Sequence, residues 1–249
     1  LSVGEVGSYS RISANRIVSE ADLIFYVGSE TGGMTTHFWQ VPPIGTSSIS
    51  LDINPEQLGR NYPPKASVLG DAKVSLQKMI DVADASTAGV RKSWVERAQS
   101  LVAEWRGDFE SLLNSDAVPI RPERICNELS KNLPSDAMVL ADTGHSGMWM
   151  GGMFDLKHPG QSYTRSFGHL GWAFSAGLGA KCALPDRPVL TFTGDSGFWY
   201  HIGEIETAVR WKINAVTLVN NNGAGNQSKR GFDAAYGGEQ TEQAREMWV

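Results

Sequence analysis

Two oxygen-bearing side chains, Asp195 and Asn222, each follow directly after a predicted strand. The β-branched run 188–193 predicts a buried strand before Asp195, and 215–219 predicts another before the asparagine cluster. Apolar residues recur at helical spacing over 198–211, which predicts one helix between the two strands. Because parallel strands end at one edge of an open α/β sheet, Asp195 and Asn222 should meet there.

A carboxylate and an amide at such an edge are suited to Mg²⁺, which takes about six oxygen ligands from carboxylates, amides, carbonyls, phosphates and water. The N-terminal amides of the helix predicted over 198–211 would favour an anion such as a diphosphate. The same residues also suit an ordinary strand–turn–helix, in which Asp195 caps the helix and the asparagines form a turn. Spacing alone leaves both interpretations open.

The bulk composition narrows the classes of protein to consider. A chain of 249 residues with 41% hydrophobic and 20% charged residues is typical of globular proteins with one large or two ordinary domains. The net charge of −5 argues against a nucleic-acid partner. No apolar run of about 18 residues predicts a membrane span. Cys126 and Cys182 form no metal or redox pattern, and the chain opens without a signal peptide, so a cytoplasmic, reducing location is expected.

Strands and helices alternate along the chain, which predicts an α/β fold with two doubly wound, mainly parallel sheets and flanking helices. Strands predicted at 23–27, 48–53 and 68–71 and a helix at 72–82 define a Rossmann-like middle domain over 1–83. A linker with a long helix, whose tryptophans are expected to pack against a neighbouring domain, follows over 84–119. A second domain occupies 120–249, where a helix at 122–133 and a strand at 137–141 are expected.

The run Gly194-Asp195-Ser196-Gly197-Phe198, with Asn221-Asn222-Gly223 downstream, resembles the cofactor motif of thiamine-diphosphate enzymes. The segment 198–208 is similar to the acetolactate synthase and benzoylformate decarboxylase branch of that family. The resemblance implies thiamine diphosphate beside Gly194, Asp195, Ser196 and Gly197, and Mg²⁺ held by Asp195, Asn222 and the carbonyl of Ala224. Ser196 departs from the motif, which usually has Gly or Ala there.

Two further segments resemble the same family. The loop that begins at Asp142 implies cofactor contacts from Gly144, His145 and Ser146, although His145 would equally serve as a capping group. Over 167–180, small residues at helical spacing suit either a tightly packed core helix or a cofactor-binding segment. The resemblance implies contacts from Gly168, His169 and Leu170, with the Gly168 carbonyl on the aminopyrimidine. It makes Leu170 the apolar wedge that bends the cofactor, and Gly168 and Leu170 the catalytic groups of this chain.

The activity implied by the resemblance is cleavage or formation of a C–C bond next to a carbonyl, as in acetolactate-synthase-like carboligation of 2-oxo acids. A 2-oxo acid decarboxylase, a 2-hydroxyacyl C–C lyase and a non-catalytic cofactor-binding relative stay open. The expected partners are a small 2-oxo acid or acyl donor and further copies of the protein in a homodimer or homotetramer. A pyrimidine-binding domain of a neighbouring subunit would supply the catalytic Glu. The resemblance implies that this domain and the end of the second domain lie outside these 249 residues. The chain does not begin with Met, so it is expected to begin inside a longer polypeptide.

In acetolactate synthases the middle domain holds FAD, which the resemblance adds as an expectation for residues 1–83. The loop Gly28–Gly33 departs from that pattern and lacks the dinucleotide spacing Gly-x-Gly-x-x-Gly. This also argues against a nicotinamide oxidoreductase. Asp52, at a predicted strand end, is suited to a ribose hydroxyl, so a bound nucleotide and a bare loop both stay open.

Overall fold

A computed structural model describes residues 2–84, 89–166, 168–239 and 241–247. The chain divides into two compact units, Leu1–Ser111 and Leu112–Val249. Each unit contains a sheet of parallel strands with flanking helices, which confirms the predicted α/β class. Within the predicted linker, residues 85–88 lie outside the described residues, and so does Phe167 of the segment 167–180. Among the described residues, no helix has both the length and the apolar character needed to cross a bilayer.

The first unit is built on a three-stranded parallel sheet whose strands stand in chain order, β1–β2–β3. Leu51 of the central strand lies opposite Val27 and Val68 and is fully buried. The elements are α1 (Ile12–Glu20), β1 (Leu23–Val27), β2 (Ser47–Asp52), a 3-10 turn (Pro55–Gln57), β3 (Ala66–Leu69), α2 (Ala72–Val82) and α3 (Lys92–Leu113), whose last two residues belong to the second unit. β2 and β3 begin one and two residues before the predicted starts.

Helix α3 packs within this unit. Its Ala98 and Leu101 form a buried cluster with Ile17 of α1. The guanidinium of Arg11 lies 4.1 Å from the centre of the buried Trp105 ring, a cation–π contact. The apolar stripe expected on this helix therefore buries Trp105 inside the first unit.

The second unit contains a four-stranded parallel sheet in the order β5–β4–β6–β7. Because β5 lies on one side of β4 and β6 on the other, the winding direction reverses between β4 and β6. In open α/β sheets, ligands bind at the carboxyl ends of the strands beside such a reversal. The elements are α4 (Pro122–Asn132), β4 (Met138–Ala141), α5 (His145–Met153), β5 (Ser162–Arg165), α6 (Trp172–Ala183), β6 (Val189–Gly194), α7 (Asp195–Tyr200), α8 (Glu204–Arg210), β7 (Val216–Asn220), α9 (Asn226–Ala235) and α10 (Glu242–Glu246).

Strand β6 is the best-buried strand of this sheet, since its first five residues are all buried. Helix α6 lies directly on it at Gly177, where an added Cβ would overlap the Oγ1 of Thr191. The absence of a side chain at Gly177 therefore lets α6 lie close against β6. This close contact fixes the height of α6 over the sheet, and with it the turn that precedes the helix.

The prediction of a single helix over 198–211 is wrong. The chain enters α7 already at Asp195, turns at 201–203, and then forms α8. Helix α5 and strand β5 were not predicted. Helix α5 is apolar or glycine on every face, so it has no amphipathic period. Strand β5 is short, polar in sequence and at the edge of the sheet.

Candidate functional site

Three loops meet at the carboxyl edge of the second sheet, after β4, β6 and β7. An added Cβ at Gly194 would lie 3.3 Å from Ser146 Oγ, so the β6 loop contacts the loop after β4. An added Cβ at Gly144 would lie 3.2 Å from Gln227 Oε1, so the β4 loop also contacts the start of α9. The structure thus brings the predicted residues of three sequence segments to one place.

Asp195 bridges the β6 loop and the β7 loop. Its Oδ1 accepts a hydrogen bond from Ser196 N at 2.6 Å. Its Oδ2 accepts from Asn222 N at 3.2 Å and from Gly223 N at 2.6 Å. Asp195 is the first residue of α7 and bonds the amide of the next residue, whereas the N-cap position, which the capping interpretation gave to Asp195, is occupied by Gly194. Its carboxylate also reaches the asparagine cluster, as the metal interpretation expects.

The loop after β7 folds into a tight turn around the same carboxylate. Asn222 Oδ1 accepts from Ala224 N at 3.2 Å. Asn221 Oδ1 accepts from Gly223 N at 2.9 Å. Gly223 has a φ of +70°, a left-handed conformation that glycine adopts without strain. The three residues predicted to hold a metal thus belong to one hydrogen-bonded network.

The oxygen donors at this edge suit a hard cation. Within the described ranges, no group of three or more His, Cys, Asp or Glu side chains could hold a metal ion. A metal at Asp195 would therefore be held by one carboxylate together with amide and carbonyl oxygens. Mg²⁺ is commonly bound in this way, with substrate phosphates and water completing its ligands.

The loop after β4 leads directly into α5, which begins at His145. Gly144 precedes the helix with a φ of +73°. The first backbone N–H groups of a helix have no acceptor within it and suit an anion. Burial lowers the pKa of His145, and the positive charge of Arg230 lowers it further, so the imidazole is neutral at neutral pH. The resemblance implied cofactor contacts from Gly144, His145 and Ser146, but the sequence pattern did not predict the helix that begins there.

The turn Gly168–Gly171 holds the residues predicted to contact the pyrimidine end of the cofactor. Gly168 and Gly171 have φ of +100° and +89°. Gly168, His169 and Leu170 are exposed, and the apolar Leu170 side chain keeps 40% of its surface accessible. An added Cβ at Gly171 would lie 2.8 Å from Tyr200 Cβ and 3.0 Å from Gly197 O, so the turn is seated on α7. The roles assigned to Gly168 and Leu170 stay predictions.

Ser196, the residue that departs from the motif, lies between two loops. Its hydroxyl is 3.3 Å from Asp195 Oδ1 and 4.0 Å from the Cβ position of Gly225. The longer side chain is thus accommodated next to Asp195 without displacing the β7 loop.

Asp142 is a buried carboxylate at this edge that was not among the predicted site residues. It is fully inaccessible, and its oxygens accept hydrogen bonds from Thr143 N, Gly171 N and the Thr193 hydroxyl. Burial raises its pKa, an effect opposed by these hydrogen bonds and by the charge of His201. Its position directly after a predicted strand was the available signal.

Comparisons with known proteins assign both units. Residues 1–79 match the central domain of thiamine pyrophosphate enzymes, and residues 142–247 match their C-terminal TPP binding domain.

Curated relatives match over most of the chain. The probable acetolactate synthase large subunit of Methanococcus aeolicus is 28% identical over 236 residues, which cover 89% of this chain and 39% of that protein. Acetolactate synthase isozyme 1 large subunit of Escherichia coli strain K12 is 28% identical over 229 residues, covering 90% of this chain and 39% of that protein. Glyoxylate carboligase of Escherichia coli O157:H7 is 27% identical over 230 residues, covering 89% and 38%. The chain therefore spans less than half the length of the relatives it matches.

Proposed function

We propose that this chain, which carries the central domain and the C-terminal TPP binding domain of thiamine pyrophosphate enzymes, belongs to an enzyme that carries out thiamine-diphosphate-dependent carboligation of 2-oxo acids. The domain matches confirm the family predicted from the motif at 194–198. The observation that carries the proposal is the Asp195 network with Asn222 and Gly223, which lies within the matched binding domain. The relatives named acetolactate synthase and glyoxylate carboligase support the same reaction type.

In this proposal Mg²⁺ is bound by the Asp195 carboxylate, the Asn222 amide oxygen and the Ala224 carbonyl. Asp195 and Asn222 are already linked through the Asn222 backbone, and Ala224 bonds the Asn222 side chain. The proposed ligands are thus adjacent, and on binding the Asn222 oxygen would exchange its bond to Ala224 N for the metal. Mg²⁺ in turn would neutralise the charge of a diphosphate beside Asp195.

The diphosphate would be held by the loops after β4 and β6. Gly144, His145 and Ser146 open helix α5, and Gly194, Ser196 and Gly197 surround Asp195. Backbone N–H groups and a serine hydroxyl are suitable donors to phosphate oxygens. A neutral His145 adds a donor without adding charge.

When bound, thiamine diphosphate supplies a thiazolium carbon that attacks the substrate carbonyl, and its ring accepts the electron pair released when the adjacent C–C bond breaks. The residues of this chain would orient the cofactor for that chemistry. Leu170, an exposed apolar side chain on a glycine-bounded turn, would pack against the cofactor and favour its bent form. The carbonyl of Gly168 would accept a hydrogen bond from the aminopyrimidine, and His169 would line the same contact.

The catalytic Glu and the remaining contacts to the pyrimidine would come from the pyrimidine domain of a neighbouring copy in a homodimer or homotetramer. The match covers 39% of the length of one relative, so the rest of that relative is long enough to contain such a domain. Large apolar side chains exposed on α7, on α8 and at the residue that follows α8 support a covered face in the assembly, since monomers rarely leave such patches open. They are Trp199 (68% exposed), Tyr200 (67%), Ile205 (43%), Val209 (72%) and Trp211 (71%).

The first sheet offers weaker support for FAD or another nucleotide. Asp52 at the end of β2 has its Oδ1 engaged by Asn54 N at 2.9 Å, which closes a local turn. After β1 the chain forms turns over 33–45, with no helix start for a pyrophosphate among the described residues there. We therefore assign the first unit no step in the reaction. Free thiols at Cys126 and Cys182 support the cytoplasmic location.

The test is turnover by the complete polypeptide that contains these residues. Purified protein would be given pyruvate, glyoxylate or an aromatic 2-oxo acid, with and without thiamine diphosphate and Mg²⁺, and products would be identified by mass spectrometry. Carboligation that depends on both additions is expected. Release of CO₂ with only an aldehyde product would favour the decarboxylase, and C–C cleavage of a 2-hydroxyacyl substrate would favour the lyase. Cofactor binding without turnover would favour the non-catalytic relative.

A further inference from the structure

We propose that Asp142 is a positioning residue, which fixes the turn Gly168–Gly171, and with it Leu170, to the buried end of strand β6. The inference rests on the proposed function, since that function gives Leu170 its role against the cofactor. Asp142 itself would not touch the cofactor. It would act by holding the backbone that carries Leu170.

The carboxylate of Asp142 joins three separate parts of the second unit. It follows β4 and accepts from Thr143 N at 2.8 Å through Oδ1. Gly171 N donates to both oxygens, at 3.0 Å to Oδ1 and 3.1 Å to Oδ2. The hydroxyl of Thr193, the last residue but one of strand β6, donates to Oδ2 at 2.9 Å. One side chain thus links the ends of two strands to the start of α6.

The ends of this link differ in how firmly they are held. Thr193 is fully buried in the best-packed strand, and Asp142 is fully buried after its neighbour β4. In contrast, Gly168, His169 and Leu170 are exposed. The strands are therefore the fixed side of the link, and the turn is the side whose position Asp142 determines.

The chemistry of the acceptor also matters. Three donors converge on the two oxygens, an arrangement that an ionised carboxylate, with acceptor sites only, is well suited to satisfy. Hydrogen bonds to a charged acceptor are shorter and stronger than neutral ones. The surroundings leave little space for another arrangement, because an added Cβ at Gly197 would lie 2.7 Å from Asp142 Oδ2. Glycine at 197 is thus compatible with this link, whereas a side chain there would collide with it.

The experiment compares Asp142→Ala, Thr193→Val and the matched control Thr193→Ser in the complete polypeptide. The first readout is hydrogen exchange in the protein without cofactor, followed by mass spectrometry on peptides that cover Gly171. Asp142→Ala should raise exchange there by about tenfold or more, and Thr193→Val by a smaller factor, because an amide without its buried acceptor opens more readily. Thr193→Ser keeps the hydroxyl and should exchange like the wild type.

The second readout separates positioning from general loss of structure. Asp142→Ala should lower kcat by about tenfold or more while the dissociation constant for thiamine diphosphate with Mg²⁺ changes by less than about threefold. In a Leu170→Ala background, Asp142→Ala should lower kcat by less than about twofold, since the effects of residues that act through one another are not additive.

Unchanged exchange at Gly171 in both Asp142→Ala and Thr193→Val would overturn the proposal. Losses in kcat that multiply fully with that of Leu170→Ala would also overturn it, because Asp142 would then act by another route. If Asp142→Ala does not fold, the Thr193→Val and Thr193→Ser pair decides by the same measurements. A wild-type protein without turnover overturns the proposed function instead, and the exchange readout still decides whether Asp142 holds the turn.

Discussion

Gly197 is the position where one added methyl group should disturb the site most directly. It is buried in α7, and a Cβ there would lie 2.7 Å from Asp142 Oδ2 and 3.0 Å from Thr193 Oγ1. These two atoms make a 2.9 Å hydrogen bond to each other. Gly197→Ala therefore forces either the helix or this bond to move.

The expected change in the free energy of unfolding on Gly197→Ala combines two destabilising effects and one stabilising effect. Overpacking a tight core costs about 1–3 kcal/mol. Weakening a hydrogen bond to a charged acceptor costs up to about 1.5–3 kcal/mol. The better helix propensity of alanine stabilises the helix by about 1 kcal/mol. The net effect should be a loss of about 1.5–5 kcal/mol, or a Tm lower by about 3–20 °C at about 2–4 °C per kcal/mol.

The assay is thermal unfolding of the complete polypeptide without cofactor, followed by near-UV circular dichroism. Gly179→Ala is the matched control, since an added Cβ at this position of α6 meets no atom within 4 Å. It should raise Tm by about 1–3 °C through helix propensity alone. A Gly197→Ala protein that melts within about 2 °C of the wild type would refute the packing described around Asp142.

Three further substitutions or treatments follow from the same structure. Leu170→Ala should keep thiamine diphosphate bound but slow proton exchange at its thiazolium carbon, measured by NMR, because the bent form of the cofactor is no longer favoured. A wild-type exchange rate would show that Leu170 serves only in packing. Burial raises the pKa of Cys126 to about 12, so iodoacetamide at about pH 8 should modify Cys182 and spare Cys126 until the protein unfolds; native labelling of both at similar rates would contradict this. Burial and Arg230 hold the pKa of His145 below its ordinary 6.5, so the unfolded chain binds more protons and stability should fall as pH drops through that value. His145→Gln should flatten this dependence in thermal melts from about pH 8 to 5, and an unchanged slope would disprove the assignment.

Apart from β5, the strands of both sheets could be predicted because they are mostly apolar or β-branched and are followed or ended by glycine, asparagine or aspartate. Strands β1, β6 and β7 appear within one residue of the predicted bounds. The meeting of Asp195 with the asparagine cluster could be predicted too, since it follows from parallel strand order alone. Local pattern and sheet geometry act in the same direction at these residues.

The start of α5 and the break after α7 could not be predicted from pattern. His145–Met153 has glycines and methionines on every face, so its helix is specified by burial against the sheet rather than by an amphipathic period. The turn at 201–203 interrupts an apolar spacing that would suit a continuous helix. Asp142 was overlooked as a site residue because its partners, Gly171 and Thr193, are distant in sequence.

Calorimetric titration of thiamine diphosphate with Mg²⁺ into the complete polypeptide examines the proposed site itself. Asp195→Ala removes the charged ligand and should weaken binding by at least about tenfold, which corresponds to about 1.4 kcal/mol. The exposed Asp186 lies outside the three loops of the site, so Asp186→Ala is the matched control and should bind as the wild type does. A folded Asp195→Ala protein with wild-type affinity would contradict the proposal that this carboxylate holds the metal beside the diphosphate.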